Sequence, residues 1–231
     1  MNKAHDISGF PIFSDGELGF AHQMAHRFKD LGRFEEGYAF LSGWLEGRTG
    51  SGSQWVHVQW HLMVFELATG RWDAAHARFV EQVFEACGSG VAPVDAPSAL
   101  WRLQLAAPGA TLPWQPVRAC AAAALTGATD RYEILHHLLA LAGAGDVQTL
   151  DRWLSNRTGA DVLTHLGRAL RAFAAEDYAL AMTYFELGLP ELRTLGGSRA
   201  QNGLFHDLYA TAFDRLGHLP GATETIEALA A

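Results

Sequence analysis

Apolar residues recur along this chain at intervals of three and four, the period of a helix with one buried face, and runs that alternate every second residue are nearly absent. Breaks, most of them containing glycine, interrupt the periodic stretches and divide them into pairs. The pattern predicts helix pairs over 16–31 with 34–48, 53–69 with 72–87, 95–107 with 113–126, 131–144 with 147–157, 161–175 with 178–194, and 198–216 with 220–230. Residues 1–15 read as an irregular lead-in, and Arg48–Ser53 as a flexible loop. Residues 16–231 are expected to form one helical repeat domain.

The breaks inside the pairs share a plan: glycine, any residue, a bulky apolar residue, then a small residue three further on. Gly32-Arg33-Phe34 leads to Gly37, and Gly70-Arg71-Trp72 to Ala75. Gly145-Asp146-Val147 and Gly217-His218-Leu219 follow it, and Glu176-Asp177-Tyr178, leading to Ala181, keeps the plan with the glycine lost. Glycine ends a helix by taking a left-handed C′ conformation that a Cβ would penalise. The bulky residue plugs the gap between the helices, and the small one allows close approach. Hairpins recurring every 30–40 residues or so must stack to bury their apolar faces. The expected fold is therefore an all-α solenoid of about six helical hairpins, a superhelix like that of tetratricopeptide repeats.

Charge and composition narrow the partners. The formal charge of −8 lacks the basic footprint that nucleic acids or anionic membranes require. No apolar run reaches the length of a membrane span, and the N-terminus has no signal-like apolar core, so a cytoplasmic location is expected. Cys87 and Cys120 sit among small residues with no metal-ligand or disulfide spacing.

Five stretches together resemble the tetratricopeptide repeat protein 38 family: AHQMAHRFKDLGR (21–33), HVQWHLMVFELATGRWDAA (57–75), VDAPSALWRL (94–103), LHHLLALAGAGD (135–146) and LGGSRAQNGLFHDLYATA (195–212). The resemblance runs from about residue 17 to the end and implies an α-solenoid, without naming a reaction. Members are about twice as long, so the chain looks like a compact version without the N-terminal half. It departs from the family at Lys29, where a glutamate is usual, at Ile134-Leu135, where Asn-Asp is usual, and at Asn202-Gly203, where Arg-Asp is usual. A family site using those groups would be altered here.

Candidate chemistry lies in the histidines. Of 11, eight fall on first helices of the pairs: His22, His26, His57, His61, His136, His137, His165 and His206. First helices line the concave groove of a tetratricopeptide superhelix. His22 and His26 lie 10 and 6 residues before Gly32, and His57 and His61 lie 13 and 9 before Gly70. These offsets share one helical face, so the four rings are expected to converge on one patch. His136 lies 9 before Gly145, in the same phase. His165 and His206, at 11 before their turns, fall on nearly the opposite face and read as packing or hydrogen-bonding residues.

Two His-x-x-x-His pairs make His22, His26, His57 and His61 candidate ligands for a transition metal such as zinc, copper or nickel. The same rings suit proton transfer near neutral pH, with Asp30, Glu66 or Asp95 as orienting partner. They equally suit hydrogen-bonded packing. Trp60, Trp101, Arg102, His136, Arg199 and Gln201 complete the candidate groove, the tryptophans as pocket walls and the arginines as carboxylate partners. Each also has a packing reading, and Ser198 reads as an N-cap with Gln201 in the first turn. Two functions follow, beside a third reading in which the chain is a purely structural or oligomerising helical protein. One is a binding protein holding a small molecule or peptide in a His/Trp-lined groove. The other is a small-molecule enzyme using the histidines as acid, base or metal ligands. A homodimer, with the small-residue run around Cys120 or the lead-in at the contact, is one reading of the assembly.

Overall fold

The computed structural model describes residues 15–87 and 90–217, and every described element is helical, with no strand among them. The chain divides into two compact units between Asp95 and Ala96. The first unit contains α1 (Asp15–Asp30), α2 (Phe34–Leu45), α3 (Ser53–Ala68) and α4 (Trp72–Arg78). After α4 the chain runs through a π-helical stretch, Phe79–Phe84, and the short α5 (Glu85–Cys87). Helix α6 (Asp95–Ala106) begins on the last residue of this unit. The second unit carries α7 (Trp114–Leu125), α8 (Arg131–Gly143), α9 (Val147–Ser155), α10 (Val162–Ala174) and α11 (Tyr178–Gly188). A 3₁₀ stretch, Leu189–Thr194, then leads to α12 (Arg199–Gly217). The expected partner of α12, over 220–230, and the lead-in over 1–14 lie outside the described residues.

One turn recurs at four of the breaks between paired helices, and its hydrogen bond appears once more from the Val91 N–H to the Ala86 carbonyl. The N–H of Arg33, Arg71, Asp146 and Asp177 donates to the carbonyl five residues earlier, at 2.7–3.0 Å. This is the Schellman closure, and it requires a left-handed residue just before the donor. Gly32, Gly70 and Gly145 supply it at φ of 67°, 76° and 70°. Glu176 takes the same place in the fourth copy at φ 59°, the one described non-glycine residue with positive φ. The small residue after the turn is buried, as close helix approach demands. Ala75 and Ala181 are fully inaccessible, and a Cβ on Gly37 would lie 2.5 Å from the Phe65 ring.

Aspartate N-caps open four helices of the second unit, though not α7, which follows Pro113. Asp130, Asp146, Asp161 and Asp177 each accept a backbone N–H three residues on, a standard N-cap. In the first unit, the residues before α2, α3 and α4 are Arg33, Gly52 and Arg71, and none caps through its side chain. There the helices are held by packing. Ala21 and Ala25 of α1 are fully buried against Leu41 of α2 and Val58, Leu62 and Phe65 of α3. Helix α3 is buried nearly all round, from Val58 through Glu66. No described helix is long and apolar enough to cross a membrane.

Candidate metal centre

The approach of α1 to α3 creates the centre. Alanine at 21 and 25 leaves little side chain between the two helices, so their flanks come close. His22 and His26 each stand one residue beyond those alanines, a rotation of about 100° round the helix. His57 and His61 stand one residue before Val58 and Leu62 on α3. All four imidazoles therefore meet along one seam. Ring centroids lie 4.9 Å apart for His22 and His57, 4.5 Å for His26 and His61, and 4.7 Å for His57 and His61. The Nε2 atoms of His22 and His26 are 2.9 Å apart. One ring nitrogen from each of the four residues lies within 4.8 Å of the others.

That spacing is close to a coordination sphere. Metal–imidazole bonds of about 2.0–2.1 Å put neighbouring nitrogens of a tetrahedral site about 3.3 Å apart. The widest separations here must close by about 1.5 Å, a shift that imidazole side-chain torsions supply.

Burial is unequal around the cluster. His61 is 1% exposed, and neither of its ring nitrogens has a hydrogen-bond partner. His22, His26 and His57 are partly exposed and form the outer side. Burial, with the neighbouring imidazoles adding to it, lowers the pKa of His22 to about 4. The same two causes lower His26, and they hold His61 well below the usual histidine range. These three rings are neutral at pH 7, the form that binds a metal.

Asp95 orients His57. Its Oδ1 lies 2.9 Å from His57 Nδ1, with the carboxylate side chain 9% exposed. A carboxylate oxygen only accepts, so Nδ1 carries a proton, and Nε2 is the ring atom His57 can offer a metal. This is the carboxylate–histidine arrangement found behind metal ligands. The other two candidate partners act elsewhere. Glu66 is buried and receives the Arg78 guanidinium on both oxygens at 2.8–3.1 Å, while Gln59 accepts a further Arg78 bond. Asp30 reaches the cluster only through its charge on His26. Trp60 is fully buried and stacks on His57, with planes 7° apart and centroids at 5.4 Å, so it backs the centre.

The other candidate residues belong to the second unit. Trp101 is buried and its indole N–H donates to the Leu139 carbonyl at 2.8 Å. Arg102 donates to the Ala200 carbonyl at 2.7 Å and faces Asp207 at 3.7 Å. His136, in the same phase as His61, is fully buried between Tyr132 and Phe205, and its Nδ1 donates to the Tyr132 carbonyl. Gln201 forms a reciprocal capping box with Ser198: Ser198 N–H donates to its Oε1 at 2.9 Å, and its own N–H donates to Ser198 Oγ. Arg199 is exposed. An open depression of about 610 Å³ on α2, α3 and α4 is lined by Tyr38, Ser42, Glu46, Leu62 and Arg78, and by none of the four histidines.

The buried network of Glu66, Gln59 and Arg78 was not anticipated as a unit. Its signal was a lone carboxylate in the apolar run HLMVFELATG, which required a cation within reach. No family model, no curated protein and no solved structure matches this chain.

Proposed function

We propose that this chain is a metal-binding protein of the tetratricopeptide-like solenoid type, whose first unit holds one divalent transition-metal ion on His22, His26, His57 and His61. The observation that carries the reading is His61: a fully buried imidazole, with both nitrogens lacking a partner, facing three other imidazoles across α1 and α3. A buried polar atom without a partner costs about 1–3 kcal/mol, so the fold keeps this side chain at a cost to its own stability. A metal bound through one of those nitrogens recovers it. The all-nitrogen donor set favours zinc, nickel, copper or cobalt over magnesium or calcium, which prefer oxygen. Asp95 supplies the outer carboxylate that fixes the His57 ligand. The recurring Schellman turns support the repeat reading of the scaffold.

Four such ligands suit either a binding role or an enzyme in which the ion is a Lewis acid acting on a small molecule. The 2.9 Å contact between His22 and His26 favours one further use, a proton relay along the imidazoles in the metal-free protein.

Elemental analysis of untagged protein, purified without chelator and then reconstituted with zinc, nickel, cobalt or copper, tests the proposal. The expected result is about one tightly held ion per chain, lost when His22 and His57 are both alanine. If the wild-type chain retains no ion through gel filtration with any of the four metals, the proposal fails.

A further inference from the structure

The open depression in the first unit, about 610 Å³, owes its room to α2. Its lining on that helix runs from Tyr38 to Glu46, a length of about 12 Å at 1.5 Å per residue. Gly43 belongs to that lining and sits inside the helix, where glycine destabilises relative to alanine because it has more backbone freedom to lose. Packing does not require it. A Cβ on Gly43 would meet nothing within 4 Å, whereas one on Gly37 would strike the Phe65 ring. A side chain at position 43 would instead occupy the depression.

Two charged side chains line this space, and they differ in what they have already bound. A guanidinium offers five N–H donors. On Arg78, Glu66 takes the Nε donor and one on Nη2 at 2.8–3.1 Å, and Gln59 takes one on Nη1 at 2.6 Å. One N–H on each terminal nitrogen remains, on a side chain 23% exposed. The Glu66 carboxylate already cancels the Arg78 charge, so these donors suit a neutral carbonyl oxygen better than a second anion. Glu46 is exposed, and no hydrogen bond or ion pair with a described residue engages its carboxylate. It closes the C-terminal end of α2, where the helix dipole adds to its negative charge. The neighbouring cations are held elsewhere: Arg71 pairs with Glu35 over the Tyr38 ring, and Arg48 lies on the Trp44 ring.

Independently of the metal reading, we infer that this depression binds a small primary amine that also carries a carbonyl group. That chemistry is shared by amino-acid amides and by the amino end of a peptide. The ammonium pairs with Glu46, the carbonyl oxygen accepts from Arg78, and the apolar part lies on Leu45 and Leu62. Arg78, Glu66 and Glu46 together leave one negative charge, which disfavours an anionic ligand. An amine without a carbonyl leaves the outer Arg78 donors to water.

Full-length protein is titrated with leucinamide while the backbone amide signals of α2 are followed by NMR. Chelator is present throughout, so that the amine cannot bind through a metal. A saturable shift over residues 38–46 is expected. Acetyl-leucinamide, which lacks the charge, and isoamylamine, which lacks the carbonyl, should each bind about tenfold more weakly or worse, the size of one hydrogen bond to a charged group. If either binds as well as leucinamide, the assigned chemistry is wrong. Glu46→Gln should weaken leucinamide binding roughly three- to tenfold, for one charge a few ångströms away. Gly43→Leu should abolish the saturable shift while the signals of α8 through α12 stay in place, and Gly43→Ala should still bind. Leucinamide that produces no saturable shift in α2, or one that survives Gly43→Leu, overturns the inference; neither result touches the metal reading. Leucyl-alanyl-alaninamide separates the two sources. Tighter binding than leucinamide supports the amino end of a peptide, and equal or weaker binding supports a free amine.

Discussion

At the scale of single residues, His61 separates a ligand from a packing residue. A packing histidine has a protein partner on at least one ring nitrogen, as His136 has at Nδ1 in the Tyr132 carbonyl. His61 has no such partner on either nitrogen. His61→Leu keeps similar bulk and removes both atoms, so the metal-free protein should gain about 1–3 kcal/mol of stability, measured by urea unfolding in chelator. The same variant should lose metal binding. A loss of stability would mean that the imidazole packs better than leucine, and would weaken the case for a site. The neighbouring rings make stability depend on pH. The folded state holds the His22 pKa at about 4, below the usual 6.5, and also lowers His26 and His61. The unfolded chain thus binds protons that the folded chain refuses, and stability rises with pH across that window. Above about pH 6.5 their contribution is complete; it is lost as pH falls from there toward 4. Thermal melts of metal-free protein should show the decline, and His22→Gln with His26→Gln should flatten it. A pH-independent melting temperature in the wild type would contradict the burial of these rings as neutral groups.

At the scale of helices and turns, most of the architecture was legible from spacing. The glycine breaks marked the ends of α1, α3 and α8, and the predicted helix ends fall within three residues of the observed ones for most of the described pairs. Local chemistry explains why: the Schellman closure needs a left-handed residue, and glycine announces it. The fourth copy was legible as well, because Asp177-Tyr178 and Ala181 persist when the glycine does not. The cost of that loss falls on Glu176, which holds φ 59° without the freedom of glycine. A left-handed non-glycine residue costs about 1–2 kcal/mol. Glu176→Gly should therefore raise stability by about 1 kcal/mol, read from the midpoint of denaturant unfolding, with Gly70→Ala shifting it the other way. A neutral or destabilising Glu176→Gly would show that the glutamate side chain compensates for its backbone. Two elements were not legible. The π-helical stretch Phe79–Phe84 and the 3₁₀ stretch Leu189–Thr194 continue their predicted helices with altered pitch, and apolar periodicity does not resolve pitch over so few residues.

At the scale of the whole molecule, the candidate site was legible where it rested on phase and illegible where it rested on packing. Counting from Gly32 and Gly70 placed four histidines on facing stripes, and the structure brings them together. The same counting included His136, yet a shared phase only says which way a ring points, and Tyr132 and Phe205 enclose that ring before any partner histidine reaches it. Trp101 and Arg102 were likewise consumed by backbone carbonyls that no spacing rule locates. Asp95 was one of three carboxylate candidates, and only folding selects it, because it lies 38 residues from the ring it orients. The result is a cluster whose four imidazoles and neighbouring carboxylate all belong to the first unit. Metal binding should accordingly stabilise that unit by mass action, about 2.7 kcal/mol at a free metal concentration 100 times Kd. Amide hydrogen exchange resolves where that energy goes. With zinc or cobalt added, protection should rise in α1 and α3, whose packing the ion ties together, and stay unchanged in α8 through α12, which contribute no ligand. An increase spread equally over both units would mean that they open as one cooperative body. An increase confined to α8 through α12 would place the ion on other residues altogether, and would leave the unpartnered His61 without a function.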